Sequence, residues 1–359
     1  MSHKQNFMNT ETYKISHYDY TVPKHLIAQY PTAKRDESRL LVLHRRSSKI
    51  EHRKFYDIIE YLNCGDVLVL NDTKVAPARI IGSRTTGGRA EGLIIKEIKE
   101  NTWEVLLRSN HRLKEKECLY FGNNTIKGML ICQNNTGSWT VRFEDGKKFI
   151  EMLENYGRMP LPPYIKRNPE DKSPGIYDKD RYQTIYAKKM GAIAAPTAGL
   201  HFTKNILQKI TDKGIKVAYI TLHVGLGTFK TIKEEDFRQH AIHKEFYNIP
   251  EEAIETINKA KSLGKRIIAT GTTTCRVLET LAKNHTTTKE SSGWTNLFIY
   301  PPYKFKLTDS LITNFHLQRS TLILLVSAFA GGENIATSYE EAISLGYRFY
   351  SYGDCMLIL

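Results

Sequence analysis

Residues 76–153 are the stretch that most restricts what this chain can fold into. Short β-rich runs there are separated by turn clusters, "TTGG", "GNN", "NNTG" and "EDG". The run "SWTVRF" (138–143) alternates strictly, with Trp139, Val141 and Phe143 on one face and Thr140 and Arg142 on the other. A period of two is the strand signal. No convincing amphipathic helix appears before 147–156. So many short strands hide their edges best by closing on themselves, and the segment is expected to be a small all-β barrel.

The flanks have a different texture. "KFYDIIEYL" (54–62) reads as a short helix, with Phe55, Ile58, Ile59 and Leu62 on one face, and "DVLVLND" (66–72) as a buried strand. After residue 190, strand and helix alternate. "FTKNILQKITDKG" carries a cap at Thr203 and a stop at Gly214. "IKVAYITLHV", "KRIIAT" and "SLITNFHL" read as strands. "PEEAIETINKAKSLG", "TTCRVLETLAK" and "STLILLVSAFAGG" read as helices, the last capped by Ser320. Alternation of this kind predicts an α/β sheet with helices on both faces. The expected organisation is an α/β body interrupted by a β-barrel: body 1–75, inserted barrel 76–153, body again 154–359. "MPLPPYI" (159–165) is the expected exit linker.

Charge narrows the partners. The formal net charge is +14, which suits a polyanion, nucleic acid or an anionic membrane, or, equally, a merely basic surface. The five cysteines are odd in number and never spaced CxxC, so neither a disulfide framework nor a thiolate zinc site is expected. No histidine pair has ligand spacing on one helix, so no metal is expected. The first residues carry no apolar stretch of the signal-peptide kind, and "TLILLVSAFA" (321–330) is too short to span a bilayer. A cytoplasmic protein is expected.

Chemistry collects at the predicted strand ends, where open α/β sheets bind ligands. "TLHVGLGTF" places His223 before Gly225 and Gly227; "ATGTTTCR" places Gly271, Thr272, Thr273 and Arg276 at a helix start; "TNFHLQRS" ends a strand with His316. "PTAGLHFT" sets His201 just before another helix. Each cluster alone is weak, since a lone histidine is more often structural or simply exposed. Their common position is the signal. If 243–248 is extended, His243, Glu245 and Tyr247 share a face, and an imidazole beside a carboxylate can move protons. Asp354, in "YSYGDCML", either caps a turn or faces the pocket. "GLG" at 225–227 is a fragment that does not make a dinucleotide fingerprint. "GWTNLFIYPPYKFK" interleaves Trp294, Tyr300 and Tyr303 with Lys304 and Lys306, which suits stacking on nucleic acid or, equally, a strand with one buried face.

In order along the chain, these segments resemble one family. "LIAQYP", "RDESRLLVL", "GDVLVLNDTKVAPAR", "LPPYI", "DRYQTIYA", "GAIAAPTAGLHFT", "TLHVGLGTF", "GTTTCRVLE", "GWTNLFIYPPYKF", "TNFHLQRSTLILLVSA" and "YRFYSYGD" are similar to motifs of the S-adenosylmethionine:tRNA ribosyltransferase-isomerases of queuosine biosynthesis. Gly92 stands where a larger apolar residue is expected, and Pro302 where glycine is usual. The resemblance implies an enzyme that moves and rearranges the ribosyl part of S-adenosylmethionine onto 7-aminomethyl-7-deazaguanine in a tRNA anticodon, releasing adenine and methionine. S-adenosylmethionine would then be a consumed substrate, with no other cofactor, and the anticodon stem-loop the macromolecular partner. On this reading His201, His223, Glu245 and His316 divide the proton transfers, with Arg276 and Asp354 holding polar groups. Gly191, Pro196, Thr197, Gly199, Tyr182, Gln183, Tyr186, Gly225, Gly227, Thr272 and Thr273 are the expected substrate contacts. Trp294, Tyr300, Tyr303, Lys304 and Lys306 are the expected RNA contacts. Within "GAIAAPTAGLHF", Gly199 is expected to let the backbone form a ligand wall, against the alternative that small residues merely allow tight packing. A non-catalytic tRNA binder and an ordinary methyltransferase are the competing classes.

Overall fold

The structure, a computed structural model, describes residues 13–167, 173–225, 227, 230–283 and 289–359. Two compact units emerge: Met1–Asp72 with Thr184–Tyr186 and Pro196–Leu359, and Thr73–Gln183 with Ala187–Ala195. The second interrupts the first, and it reaches further along the chain than the expected 76–153, taking in the linker prolines as well.

The chain opens with β1 (Arg39–His44), β2 (Lys49–Lys54) and, after a 3-10 helix over Phe55–Tyr61, β3 (Val67–Asn71). The inserted unit begins with β4 (Thr73–Val75) and continues with six strands: β5 (Arg79–Arg84), β6 (Arg89–Lys99), β7 (Thr102–Ser109), β8 (Cys118–Phe121), β9 (Ile126–Gln133) and β10 (Trp139–Phe143). These six close into an antiparallel barrel in the order β10-β7-β6-β5-β8-β9. Trp139, Val141 and Phe143 point inward as the alternation predicts. Helix α1 (Gly146–Tyr156) starts at Asp145, whose carboxylate accepts the N–H groups of Lys147 and Lys148, and contributes Phe149 to the barrel core, stacked on Phe143 at 3.8 Å. A Cβ on Gly92 would stand 2.9 Å from Ile80 and 3.2 Å from Val105, so the barrel interior itself requires the small residue there. Helix α2 (Ser173–Arg181) follows, and β11 (Lys189–Ala192) pairs in parallel with β4.

The first unit resumes with the 3-10 helix Thr197–His201, α3 (Lys204–Asp212), β12 (Lys216–Leu222), β13 (Glu245–Ile249), α4 (Glu251–Ser262), β14 (Ile267–Thr270), α5 (Thr272–Lys283), β15 (Ser291–Thr295), β16 (Ser310–Asn314), α6 (Thr321–Ala330), α7 (Gly332–Ser344) and β17 (Cys355–Ile358). Nine strands form one mixed sheet, ordered β15-β13-β12-β3-β14-β16-β17-β1-β2. Thr203 and Ser320 cap α3 and α6 by accepting the N–H groups of Ile206 and Ile323. Every residue of β3 is buried, so both of its faces are covered. Leu68 and Leu70 share a core cluster with Phe55, Ile58 and Leu62 in and just after the short helix and with Phe202, Ile206 and Ile210 just before and in α3. Among the described residues no single helix is long and apolar enough to cross a membrane.

Candidate active site

β3, β12, β14 and β16 run parallel, and β13 and β17 run antiparallel to their neighbours β12 and β16. The carboxyl ends of the first four and the amino ends of the other two therefore lie along one edge of the sheet. Asp72, His223, Gly271, Thr272, Thr273 and His316 follow the parallel strands to that edge, and Glu245 and Asp354 reach it from the antiparallel ones. The strand–glycine–polar clusters thus converge by topology alone, from segments far apart in sequence.

Glu245 is 6% exposed and forms an ion pair with Arg276, which is equally buried on the first turns of α5. Its other carboxylate oxygen accepts the Gly225 N–H at 2.8 Å. Arg276 also donates from Nε to the Leu297 carbonyl at 3.0 Å. The expected His243–Glu245 pairing is replaced by this arrangement. His243 precedes β13, is exposed, and stands where a Cβ on Gly227 would meet it at 2.5 Å. Gly227 is therefore small to admit His243. Leu226, Thr228 and Phe229 of the same motif lie outside the described residues.

The three expected proton-transfer histidines separate into two kinds. His201 is buried between Ser38, whose hydroxyl lies 2.7 Å from Nδ1, and Asn314, whose amide lies 3.4 Å from Nε2, with Phe55 against its ring at 5.1 Å. Burial pulls its pKa down to about 4. His316 is also buried, with Nε2 2.6 Å from the Thr313 hydroxyl, and burial pulls its pKa down to about 3. Its backbone is fixed on both sides: its N–H donates to the Tyr339 hydroxyl at 2.9 Å, and its carbonyl accepts from the Tyr20 hydroxyl. Both rings are buried and hydrogen-bonded, and burial favours their neutral form. His223 is different. It is half-buried, its N–H is fixed to the Phe246 carbonyl at 3.0 Å, and its ring lies against Phe246 at 5.9 Å. Asp354 does not present its carboxylate to a pocket: it accepts the N–H groups of Arg39 and Arg348, both at 2.8 Å, and so caps a turn. Burial raises its pKa.

The segment around Gly199 has a packing explanation. Residues 197–201 form a 3-10 turn against the end of β16, and Ala198 approaches Gly271, where the chain turns from β14 into α5 with φ of +90°. A Cβ on Gly199 would fall 2.2 Å from the Tyr186 hydroxyl oxygen and 2.8 Å from Thr184. The room above this glycine is taken by Tyr186 and Thr184, which favours the packing reading of Gly199. Pro196 is buried and Thr197 half-buried in the same turn. Tyr182, Gln183 and Gly191 belong to the inserted unit, where Gln183 bonds the backbone of Val75 in both directions at 2.9 and 3.2 Å.

Three further residues matter to the architecture, two at this edge and one remote from it. Asn71, at the end of β3, exchanges hydrogen bonds with the Leu222 backbone at 3.1 and 3.0 Å, and Asp72 accepts from Thr221 at 2.6 Å. "LND" at the close of an apolar run was a readable signal. Glu279 was not, because its partners are remote: fully buried on α5, it accepts the N–H groups of Lys306, Leu307 and Thr308 and the Thr308 hydroxyl at 2.9–3.1 Å.

Buried polar atoms without a hydrogen-bond partner in the protein gather here too: Thr270 Oγ1, Asn314 Oδ1, Arg276 Nη2, Thr184 Oγ1 and Tyr186 Oη. Among the described residues no cluster of three His, Cys, Asp or Glu is placed to hold a metal ion.

A sheet edge of this kind defines a ligand-binding α/β enzyme site, and comparison with known proteins gives its family. A family model described as queuosine biosynthesis protein matches residues 15–358. A protein from Acetivibrio thermocellus called S-adenosylmethionine:tRNA ribosyltransferase-isomerase is 49% identical over 346 residues, covering 96% of this chain and 99% of that one. The crystal structure of an S-adenosylmethionine tRNA ribosyltransferase from Thermotoga maritima superposes with a TM-score of 0.55 at 37% identity, covering 96% of this chain and all of that one. The chain belongs to the queuosine biosynthesis protein family.

Proposed function

We propose that the protein transfers and isomerises the ribosyl moiety of S-adenosylmethionine onto 7-aminomethyl-7-deazaguanine in the tRNA anticodon, giving epoxyqueuosine-tRNA, adenine and methionine. The observation that carries this is the near full-length match at 49% identity to a ribosyltransferase-isomerase. The sheet edge supports it with a half-buried histidine and a buried carboxylate–guanidinium pair side by side in the strand order. S-adenosylmethionine is consumed as substrate, no further cofactor takes part, the macromolecular partner is the anticodon stem-loop, and the work is done in the cytoplasm.

The chemistry has three proton problems. The sulfonium acidifies the adjacent 5′ carbon, which a base must deprotonate. Departing adenine takes up a proton, and the attacking amine must be neutral. His223 is half-buried at the end of β12 and is assigned to proton transfer, which a positioned imidazole can perform. Glu245 is assigned either to the same traffic or to binding the cationic end of the donor, with Arg276 holding it in place. His201, His316 and Asp354 set the backbone on which these groups stand. Positioning two large substrates supplies much of the remaining rate.

The test is a single incubation with S-adenosylmethionine and tRNA bearing the aminomethyl base. Adenine release matched one-to-one by a ribosyl-sized mass gain on the tRNA is the expected result. A methyl-sized gain would make the protein a methyltransferase, and no gain a binder. His223→Ala is expected to fold normally and lose roughly 10²–10⁴-fold in turnover. Near-native turnover in that variant removes His223 from the proton traffic.

A further inference from the structure

Three rings cross neighbouring strands at the active end of the sheet. Phe246 on β13 is in direct register with Trp294 on β15, their rings meeting edge-to-face at 5.8 Å and 70°. His223, just beyond β12, lies near Phe246 at 5.9 Å with the planes 22° apart. The row therefore runs from the outermost strand of the sheet to the strand end that carries the proposed proton-transfer group. Trp294 is 67% exposed, while Trp139 in the barrel is 6% exposed. An indole left in water on an outer strand buries little of its own surface, so its place is not explained by stability.

The other aromatic residues of the same segment are committed elsewhere. Tyr300 packs on Phe237 and Phe298 at 5.3 and 5.0 Å. Tyr303 packs on Phe305, and Phe305 on Phe329 of α6, both at 4.9 Å. Glu279 holds the backbone of residues 306–308 from beneath. Lys304 and Lys306 remain exposed. Of the expected RNA-stacking residues, Trp294 is the one whose ring is open.

We infer that the aromatic track of Trp294, Phe246 and His223 leads an unpaired RNA strand to the sheet edge, with the exposed ring of Trp294 stacking on a base next to the one that is modified. The inference rests on the proposed function, which puts an anticodon loop at this sheet edge. Every base has a π-face, so a track of rings tolerates any sequence, and the net charge of +14 supplies the attraction for the phosphates that join the bases. Continuity with His223 argues for a nucleic-acid occupant over a second copy of the chain, which would cover the same edge by pairing with β15.

The experiment measures binding of an anticodon stem-loop, and of a duplex RNA of equal length, to the full chain and to Trp294→Ala and Trp294→Phe. The alanine variant is expected to bind the stem-loop roughly 5- to 150-fold more weakly. Phenylalanine should restore most of that loss. Duplex binding, S-adenosylmethionine affinity, melting temperature and the salt slope should stay as in the parent. Unchanged stem-loop affinity in the alanine variant overturns the track. So does a change in solution mass without a change in RNA affinity, which makes β15 a self-association edge. Adenine release by the parent protein is scored in parallel. Its absence, with the stem-loop effect intact, sinks the reaction and leaves the track standing.

Discussion

His201 and His316 bring protonation into the stability of the fold. Both titrate near 6.5 when unfolded and are held by burial at about 4 and about 3 in the native protein. Between these values the unfolded chain binds the extra protons. The stability each contributes is complete above about pH 6.5 and falls as pH drops toward the native pKa, by about 1.4 kcal/mol per pH unit per histidine. Denaturant midpoints measured at pH 7, 6 and 5 should fall with a steepening slope. The double variant His201→Asn, His316→Asn should show a flatter profile, and a parent profile already flat over this range would show that the rings are not locked neutral. The residue scale is also where the sequence was least legible. That a histidine follows two of the strands and another precedes a helix could be read directly, but which of them is buried could not. Burial depends on Ser38, Phe55, Asn314 and Tyr339, which come from distant segments. Glu245 was singled out for a neighbour two positions away, yet its ion pair lies 31 residues along the chain. Separations of that kind leave no local pattern.

Elements were far more legible, because each is written in local periodicity and caps. Thr203 and Ser320 cap the helices expected of them, and Trp139, Val141 and Phe143 turn inward as a period of two requires. The segment 54–62 was read as a helix and is one, wound in the tighter 3-10 form. The turn Thr197–His201 shows where periodicity runs out. Its small residues signal close approach, yet not to what, and the structure supplies Tyr186. Gly199→Ala is therefore expected to lower the melting temperature, since its new Cβ collides with the Tyr186 hydroxyl. Overpacking of this kind costs about 1–3 kcal/mol. A folded Gly199→Ala protein with parental melting temperature and weakened S-adenosylmethionine binding would return this glycine to the ligand. Helix α5 joins two roles in one element. Its first turn brings Thr272, Thr273 and Arg276 to the sheet edge. One turn on, Glu279 and Thr280 fasten the segment 295–308 through Thr308 and Thr295. A shift of this helix would move both together.

At the scale of the whole molecule, the charge of +14 makes RNA binding a counterion-release process. A log–log plot of tRNA affinity against salt is expected to be steep and linear from about 50 to 200 mM, with each neutralised phosphate adding roughly 0.7–0.9 to the slope. A flat plot would leave the basic surface without a role in binding. The architecture of an α/β body carrying an inserted barrel was readable from the change of texture near residue 76. The extent of the insertion was not, because the strands that frame it, β4 and β11, are short and bear no pattern of their own. They have a consequence for how the chain folds. β3 and β12 are neighbours in the sheet, yet the whole inserted unit lies between them in sequence. Parallel pairing across such a length is slow when the intervening chain is loose, because closure entropy must be met before the contacts form. Thr73 pairs with Lys189 and Val75 with Ala192, so the inserted unit ties its own two ends together as it folds. Once that knot is made, the search of β3 for β12 is no longer a search through a long loop, and the barrel serves the folding of a sheet to which it contributes no strand.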